Sequence, residues 1–317
     1  MKIVHAEELP LVDGLGGHAG SWKTRNVLRG EPGLDNFSLL IYYVDDFFFS
    51  PRHHHNFDQW RYQIDGKADF ARNGKMKPGA LGYFPEGAYY GPTSGPVHTV
   101  ATLQFGGPSG SGFMGSAGRG AREALLKEGW IENGVYHRNP GVEGKKSQDL
   151  FEASWEYINK RPLVYPKPQY LAPIIMNTEE LPWSPMDSVP GVEEQALGTF
   201  TNCKIRGARY RLAAGADFVA SGRGVYMVLS GVGTLENGPY VKLTTLYLDA
   251  PETATFHAEE ATTIVLMGMP SLAQISKQPP VKRASDDDDA DDADDAEEAK
   301  PWSESEHRAR LREEYSV

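Results

Sequence analysis

The sequence predicts an all-β chain built from two barrel-sized units, a partly helical connector between them and an acidic tail. Three observations carry that prediction. The 317 residues include 34 Gly and 22 Pro beside 13 Phe, 15 Tyr and 6 Trp, a composition that favours many short strands joined by tight turns over a helical bundle. Strand-like runs occupy two separate stretches, the first up to residue 105 and the second roughly 195 to 270, and the length exceeds what one ordinary domain needs.

Taken in order, residues 1–105 form the first unit. It contains the run Phe37-Ser38-Leu39-Leu40-Ile41-Tyr42-Tyr43-Val44 and closes on a strand from Val97 to Phe105. From Gly106 the texture changes to a Gly/Ser stretch reaching Gly120, followed by a helical run from Ala121 to Glu128 that Gly129 closes. A second helix is predicted from Ser147, as N-cap, to Asn159, with Leu150, Phe151, Trp155 and Ile158 on one face. Pro162, Pro166, Pro168 and Pro173 then impose an extended path, so residues 106–194 read as connector and residues 195–275 as the second unit. Residues 276–317 form the tail. Its Asp/Ala run at 286–298 repels itself and is predicted to be disordered, and residues 303–315 read as fluctuating helix within that disorder.

The formal charge is −11, but ten carboxylates lie within 286–298, so the rest of the chain is close to neutral. A near-neutral body with no basic cluster excludes nucleic acid and anionic membrane as main partners. The single cysteine, Cys203, forms no internal disulfide and reads as a small buried strand residue in a reducing compartment. Met1–Glu8 carry no apolar run after Lys2, and nothing approaches the roughly 18 apolar residues that span a bilayer. A cytoplasmic protein is the expectation.

The segment Pro51-Arg52-His53-His54-His55-Asn56-Phe57-Asp58-Gln59, with Gly66 beyond it, concentrates the chemistry. In extended backbone alternate side chains share a face, so His53, His55, Phe57, Gln59, Arg61 and Gln63 point one way and His54, Asn56, Asp58, Trp60, Tyr62 and Ile64 the other. Two imidazoles on one face can chelate a divalent transition metal, with Fe, Mn, Ni, Cu and Zn all open. Arg61 on that face either clamps an anionic substrate beside the ion or pairs internally with Asp65 or Asp58.

Written as spacing, the segment is His53-x-His55-x3-Gln59-x6-Gly66, followed by Gly79-x5-Pro85-x-Gly87-x2-Tyr90. These strings resemble the paired motifs of the cupin superfamily, G-x5-H-x-H-x3,4-E-x6-G and G-x5-P-x-G-x2-H-x3-N. Gln59 stands at the position of the metal-binding Glu and Tyr90 at that of the last His. Tyr226-Met227-Val228-Leu229-Ser230-Gly231 repeats the strand end of Tyr62 to Gly66. Setting Gly231 against Gly66 puts Phe218, Ala220 and Gly224 where His53, His55 and Gln59 stand, and Phe256 falls near the last motif position. The resemblance is to a bicupin, two jelly-roll β-barrels of which only the first retains ligand-type residues.

That resemblance implies one divalent transition-metal ion per chain, held by His53 and His55. Gln59 binds through its oxygen or hydrogen-bonds a metal water, and Tyr90 or His98 completes the set. It also implies a small-molecule substrate, an organic acid or ring-containing metabolite, handled by a metal-dependent enzyme of dioxygenase, isomerase or lyase type. A non-catalytic binding bicupin is the alternative. The apolar row Val225, Met227 and Leu229 is expected to pack against the other barrel or a second subunit, and a homodimer is expected.

Overall fold

A computed structural model describes residues 1–14, 18–110, 113, 118–236 and 238–274. The acidic run at 286–298 and the tail helix expected at 303–315 lie outside the described residues. Twelve strands carry the architecture: β1 (Lys2–His5), β2 (Ala19–Arg29), β3 (Phe37–Ser50), β4 (Asp58–Gly66), β5 (Leu81–Phe84), β6 (His98–Phe105), β7 (Ile174–Met176), β8 (Val192–Phe200), β9 (Ile205–Leu212), β10 (Gly224–Ser230), β11 (Thr244–Leu248) and β12 (Thr262–Gly268). They make two antiparallel sheets, β7-β5-β4-β6-β3-β2 and β1-β11-β10-β12-β9-β8. The second order reproduces the first strand for strand, which is the internal repeat seen in three dimensions. In the first half shorter strands, led by Thr93–Gly95, continue the same sheet from the far end of β3, and in the second a separate four-stranded sheet includes Thr253–Ala258. Each half has the jelly-roll arrangement, and among the described residues the strand pairing does not close into a ring.

The two outermost strands are exchanged. β1, from the N-terminus, pairs with β11 of the second half, and β7, from the connector, pairs with β5 of the first.

Strand alternation decides what lies between the sheets. On β3, Phe37, Leu39 and Ile41 enter the largest core cluster, as do Trp60 and Tyr62 of β4 and Ala101, Leu103 and Phe105 of β6. Val225 and Met227 of β10 and Val265 and Met267 of β12 meet them from the other half, with Leu229 packed alongside. The apolar row Val225, Met227 and Leu229 therefore packs on the first half of the same chain. Trp60 is fully buried there and donates from Nε1 to the Gly268 carbonyl at 2.8 Å. Within the second half, Phe218, Ala220, Tyr226 and Phe256 fill the interior as a continuous apolar core. The first half differs, because its alternate residues face a cavity.

The connector corrects two expectations. The first helix, α1, spans Gly118–Leu125, and Gly129 opens a strand, Gly129–Glu132, that pairs with Val135–Arg138. The second, α2, spans Leu150–Asn159 with Asp149, not Ser147, as N-cap. Asp149 Oδ1 accepts from the amides of Phe151 and Glu152 at 2.8 and 3.1 Å, satisfying two amides that a helix start leaves free.

Gly66 and Gly231 close the equivalent strands β4 and β10, at φ of 66° and 92°. A Cβ on Gly66 would lie 2.4 Å from the Val97 carbonyl oxygen and 2.7 Å from His98 Cα; on Gly231 it would lie 2.6 Å from that of Ala261 and 2.7 Å from Thr262 Cα. Gly66→Ala is expected to cost about 2 kcal/mol or more, because both the left-handed backbone and the close approach exclude a side chain. Denaturant unfolding of the variant measures it, and a loss under about 0.5 kcal/mol would contradict the argument.

Candidate active site

The cavity of the first half has a volume of about 840 Å³, toward the upper end of small-molecule pockets. Ser38, Leu40, Tyr42 and Val44 of β3, Arg61 of β4, and His98, Val100, Thr102 and Gln104 of β6 line it, the alternate residues to those in the inter-half core. His53, His55 and Phe57 line it from the segment ahead of β4. That segment is not regular strand; it is held by a bridge in which His53 and Tyr90 exchange backbone hydrogen bonds at 3.1 and 3.0 Å, and by Gly87 N donating to the His55 carbonyl at 2.7 Å. The two motif strings are laced to each other residue by residue. His54 points away, stacked between Tyr89 and Tyr165 with ring centroids 3.8 and 3.5 Å distant.

Five expected site residues meet at one point. Arg61 Nη2 donates to Gln59 Oε1 at 3.2 Å and to Tyr90 Oη at 2.9 Å. With its oxygen turned to Arg61, Gln59 directs its Nε2 to Tyr90 Oη at 3.1 Å and to His55 Nδ1 at 3.0 Å. Tyr90 Oη lies 3.0 Å from the same His55 nitrogen. Since an amide N–H can only donate, His55 Nδ1 is the acceptor and its proton sits on Nε2. His53 has the opposite tautomer, donating from Nδ1 to the Pro51 carbonyl at 2.7 Å and keeping a lone pair on Nε2. His98, also in the cavity wall, donates likewise to the Pro96 carbonyl at 2.7 Å, and no contact joins it to Tyr90 or Gln59.

Burial holds these groups neutral. It pulls His53 down to about 3, with Arg61 and neighbouring imidazoles adding repulsion, and pulls His55 well below the usual histidine range. His98 shifts the same way. The Tyr90 phenol is pushed up by burial, against the opposing pull of Arg61. Asp58, on the opposite face, accepts from Tyr83 Oη and from the Glu86 amide, both at 2.8 Å, so it does not serve as the counter-ion of Arg61. Burial raises the pKa of both Asp58 and Glu86.

Several cavity residues carry no signal in the motifs. His18, Trp22 and Phe48 enter from β2, β3 and the residue preceding β2, while Arg122 of α1 and Phe151 of α2 cover the cavity from the connector. Phe151 packs edge-on against His55 at 4.7 Å. The connector is therefore a wall of the site.

No protein family's sequence profile matches this chain, and no curated protein sequence does. Solved structures do match its fold. A candidate dioxygenase from Nostoc punctiforme aligns over 89% of this chain and 87% of its own at 11% identity and a TM-score of 0.54. A candidate glyoxylate-induced protein from Pseudomonas aeruginosa aligns over 87% and 90% at 11% identity and 0.52. The chain has the cupin fold. Another cupin-fold match, Escherichia coli pirin at 10% identity, 85% and 98% coverage and a TM-score of 0.46, was solved in complex with nickel(II).

The donor set at this point does not fit a resident ion. Among the described residues no three side chains from His, Cys, Asp and Glu are grouped so as to hold one. His55 spends its lone pair on Tyr90 and Gln59, and the amide oxygen of Gln59 is turned to Arg61. His53 alone at this point keeps a free nitrogen lone pair. A guanidinium also stands 2.9 Å from Tyr90 Oη, where its charge opposes a second cation.

Proposed function

We propose that the first half binds a small organic anion carrying a flat ring, that Arg61 is its anchor, and that the chain acts on it by proton transfer as an isomerase or lyase would. The observation that carries the reading is the environment of Arg61. Its guanidinium lines the cavity, its Nε is buried without a hydrogen-bond partner, its two hydrogen-bond partners, Gln59 and Tyr90, are neutral, and its remaining neighbours are the faces of Phe70, Phe84 and Tyr90. A half-buried guanidinium held only by neutral groups and aromatic faces, with an N–H left unpartnered, is completed by an anion, and the planar fork of arginine suits a carboxylate. The aromatic walls, Trp22, Phe48, Phe57 and Phe151, suit a ring.

Tyr90 and His55 supply the proton path. Tyr90, a phenol that accepts from Arg61 and Gln59, donates to His55 Nδ1, and His55 keeps an Nε2–H on the cavity side. A proton given up to the ligand from His55 Nε2 is replaced at Nδ1 by the Tyr90 proton, and the phenolate left behind is held by Arg61 and Gln59. A second reading, a binding protein without turnover, is favoured by the neutrality of the imidazoles, which makes them weak bases.

Titration calorimetry on the full chain with benzoate tests the anchor. Arg61→Gln is expected to weaken binding about 30-fold or more, equivalent to about 2 kcal/mol, and Arg61→Lys to recover part of it. Equal affinity in all three proteins would reject Arg61 as the anchor. Ligand recovered unchanged after prolonged incubation, with Tyr90→Phe leaving affinity intact, would select the second reading.

A further inference from the structure

Arg61 is not the only cation in the cavity without a carboxylate partner among the described residues. Arg122, on α1, lines the same space and is half-buried. Among the described residues no carboxylate lies within ion-pair distance of either guanidinium, and the Arg122 side chain makes no hydrogen bond. The acidic groups that share the cavity wall are Asp13 and Asp149. Asp149 has an oxygen committed to the start of α2, and Asp13 belongs to an exposed strand at the rim. Burial alone lowers the pKa of Arg122, with no acidic neighbour opposing it. The His18 imidazole is repelled by both guanidiniums, which places Arg61 and Arg122 in the electrostatic field of one site.

We propose that the ligand is a dianion whose two acidic groups are received by Arg61 on β4 and Arg122 on α1, with its ring against the aromatic walls between them. This rests on the anion reading given above and narrows its substrate class. A monoanion satisfies one guanidinium and leaves the other desolvated and unpaired. A second acidic group at the right spacing satisfies both. The cavity volume of about 840 Å³ accommodates a ligand longer than a single acid on a ring. Because α1 belongs to the connector, a dianion would also tie that wall to the barrel sheet.

The test is calorimetry of the full chain with benzoate, isophthalate, terephthalate and 4-carboxycinnamate, a series in which the second carboxylate moves progressively outward. The readout is the affinity ratio of the best dianion to benzoate. In the native chain this ratio is expected to be tenfold or more. Arg122→Gln is expected to bring it near one and Arg122→Lys to restore part of it, while Arg61→Gln weakens every member of the series. Thermal melting of each variant confirms that it is folded. A ratio near one in the native chain, or a ratio that Arg122→Gln leaves unchanged, overturns the dianion while leaving the anion reading in place. Failure of the native chain to bind any of the four acids overturns both.

Discussion

Trp60→Ala is expected to lower the stability of the whole chain by about 4 kcal/mol, within the range of about 3 to 5 kcal/mol for removing a buried Trp or Phe. The indole is fully buried at the junction of the halves, between Tyr83 and Phe200, with ring centroids 5.1 and 5.7 Å away. Its removal leaves a cavity, and the Gly268 carbonyl loses the donor at 2.8 Å. Since residues of both halves line this core and β1 and β7 are exchanged between them, a single cooperative unfolding transition is expected to shift as a unit. Trp60→Phe keeps most of the contact and is expected to lose less than half as much. Denaturant titration followed by fluorescence and by far-ultraviolet circular dichroism measures both variants. Two separate transitions, only one of them displaced, would show that the halves are energetically independent and that the shared core has been overvalued.

The same junction shows why part of the fold can be read from sequence and part cannot. Alternation along Phe37–Val44 and Asp58–Gly66 separates cavity residues from core residues because a period of two is a local property of extended chain. The second half repeats the first because Gly231, like Gly66, meets the neighbouring strand too closely for a side chain, so its position in the run Tyr226–Gly231 has a local cause. The exchange of β1 is another matter. Lys2–His5 pairs with Thr244–Tyr247 across most of the chain, and nothing in four residues specifies a partner that distant. Ser147 and Asp149 are both acceptable caps by type, and the choice falls to Asp149 because a strand, Ser147–Asp149, occupies the residues before it.

In the site, spacing brings His53, His55, Gln59, Arg61 and Tyr90 together, yet their chemistry turns on hydrogen-bond direction. Whether Gln59 offers an oxygen or an N–H to His55 depends on which end Arg61 holds. That is a property of two side chains two residues apart on one strand and a third brought in by the second motif. His18 reaches the cavity from a segment with no motif signal, and Arg122 and Phe151 from helices whose periodicity is legible but whose docking over the cavity is not. The reading of a metal centre came from residue types, and what became visible only with the geometry is that Arg61 holds Gln59 and Tyr90, two of the positions expected to complete it.

Wild-type stability is expected to fall more steeply with acid than that of His53→Asn, and the sign follows from proton counting. Burial lowers His53 from the ordinary 6.5 to about 3 in the folded chain, while in the unfolded chain it titrates near 6.5. Between those values the unfolded state binds the proton that the folded state refuses, so stability rises with pH across the interval and is lost as pH falls through it. Above 6.5 both states are neutral at this position and the two proteins are expected to differ by a constant. Each pH unit below that is worth up to about 1.4 kcal/mol, or about 3 kcal/mol by pH 4. Asp58 and Glu86, raised by burial, act with the opposite sign, losing stability as pH rises above the carboxylate range, so the stability of the wild type alone mixes the two contributions. The difference between wild type and His53→Asn cancels the carboxylates and isolates the imidazole. Parallel curves from pH 7 to pH 4 in urea unfolding would mean that His53 accepts its proton in the folded chain, and that its bond to the Pro51 carbonyl and its seat in the cavity do not keep it neutral.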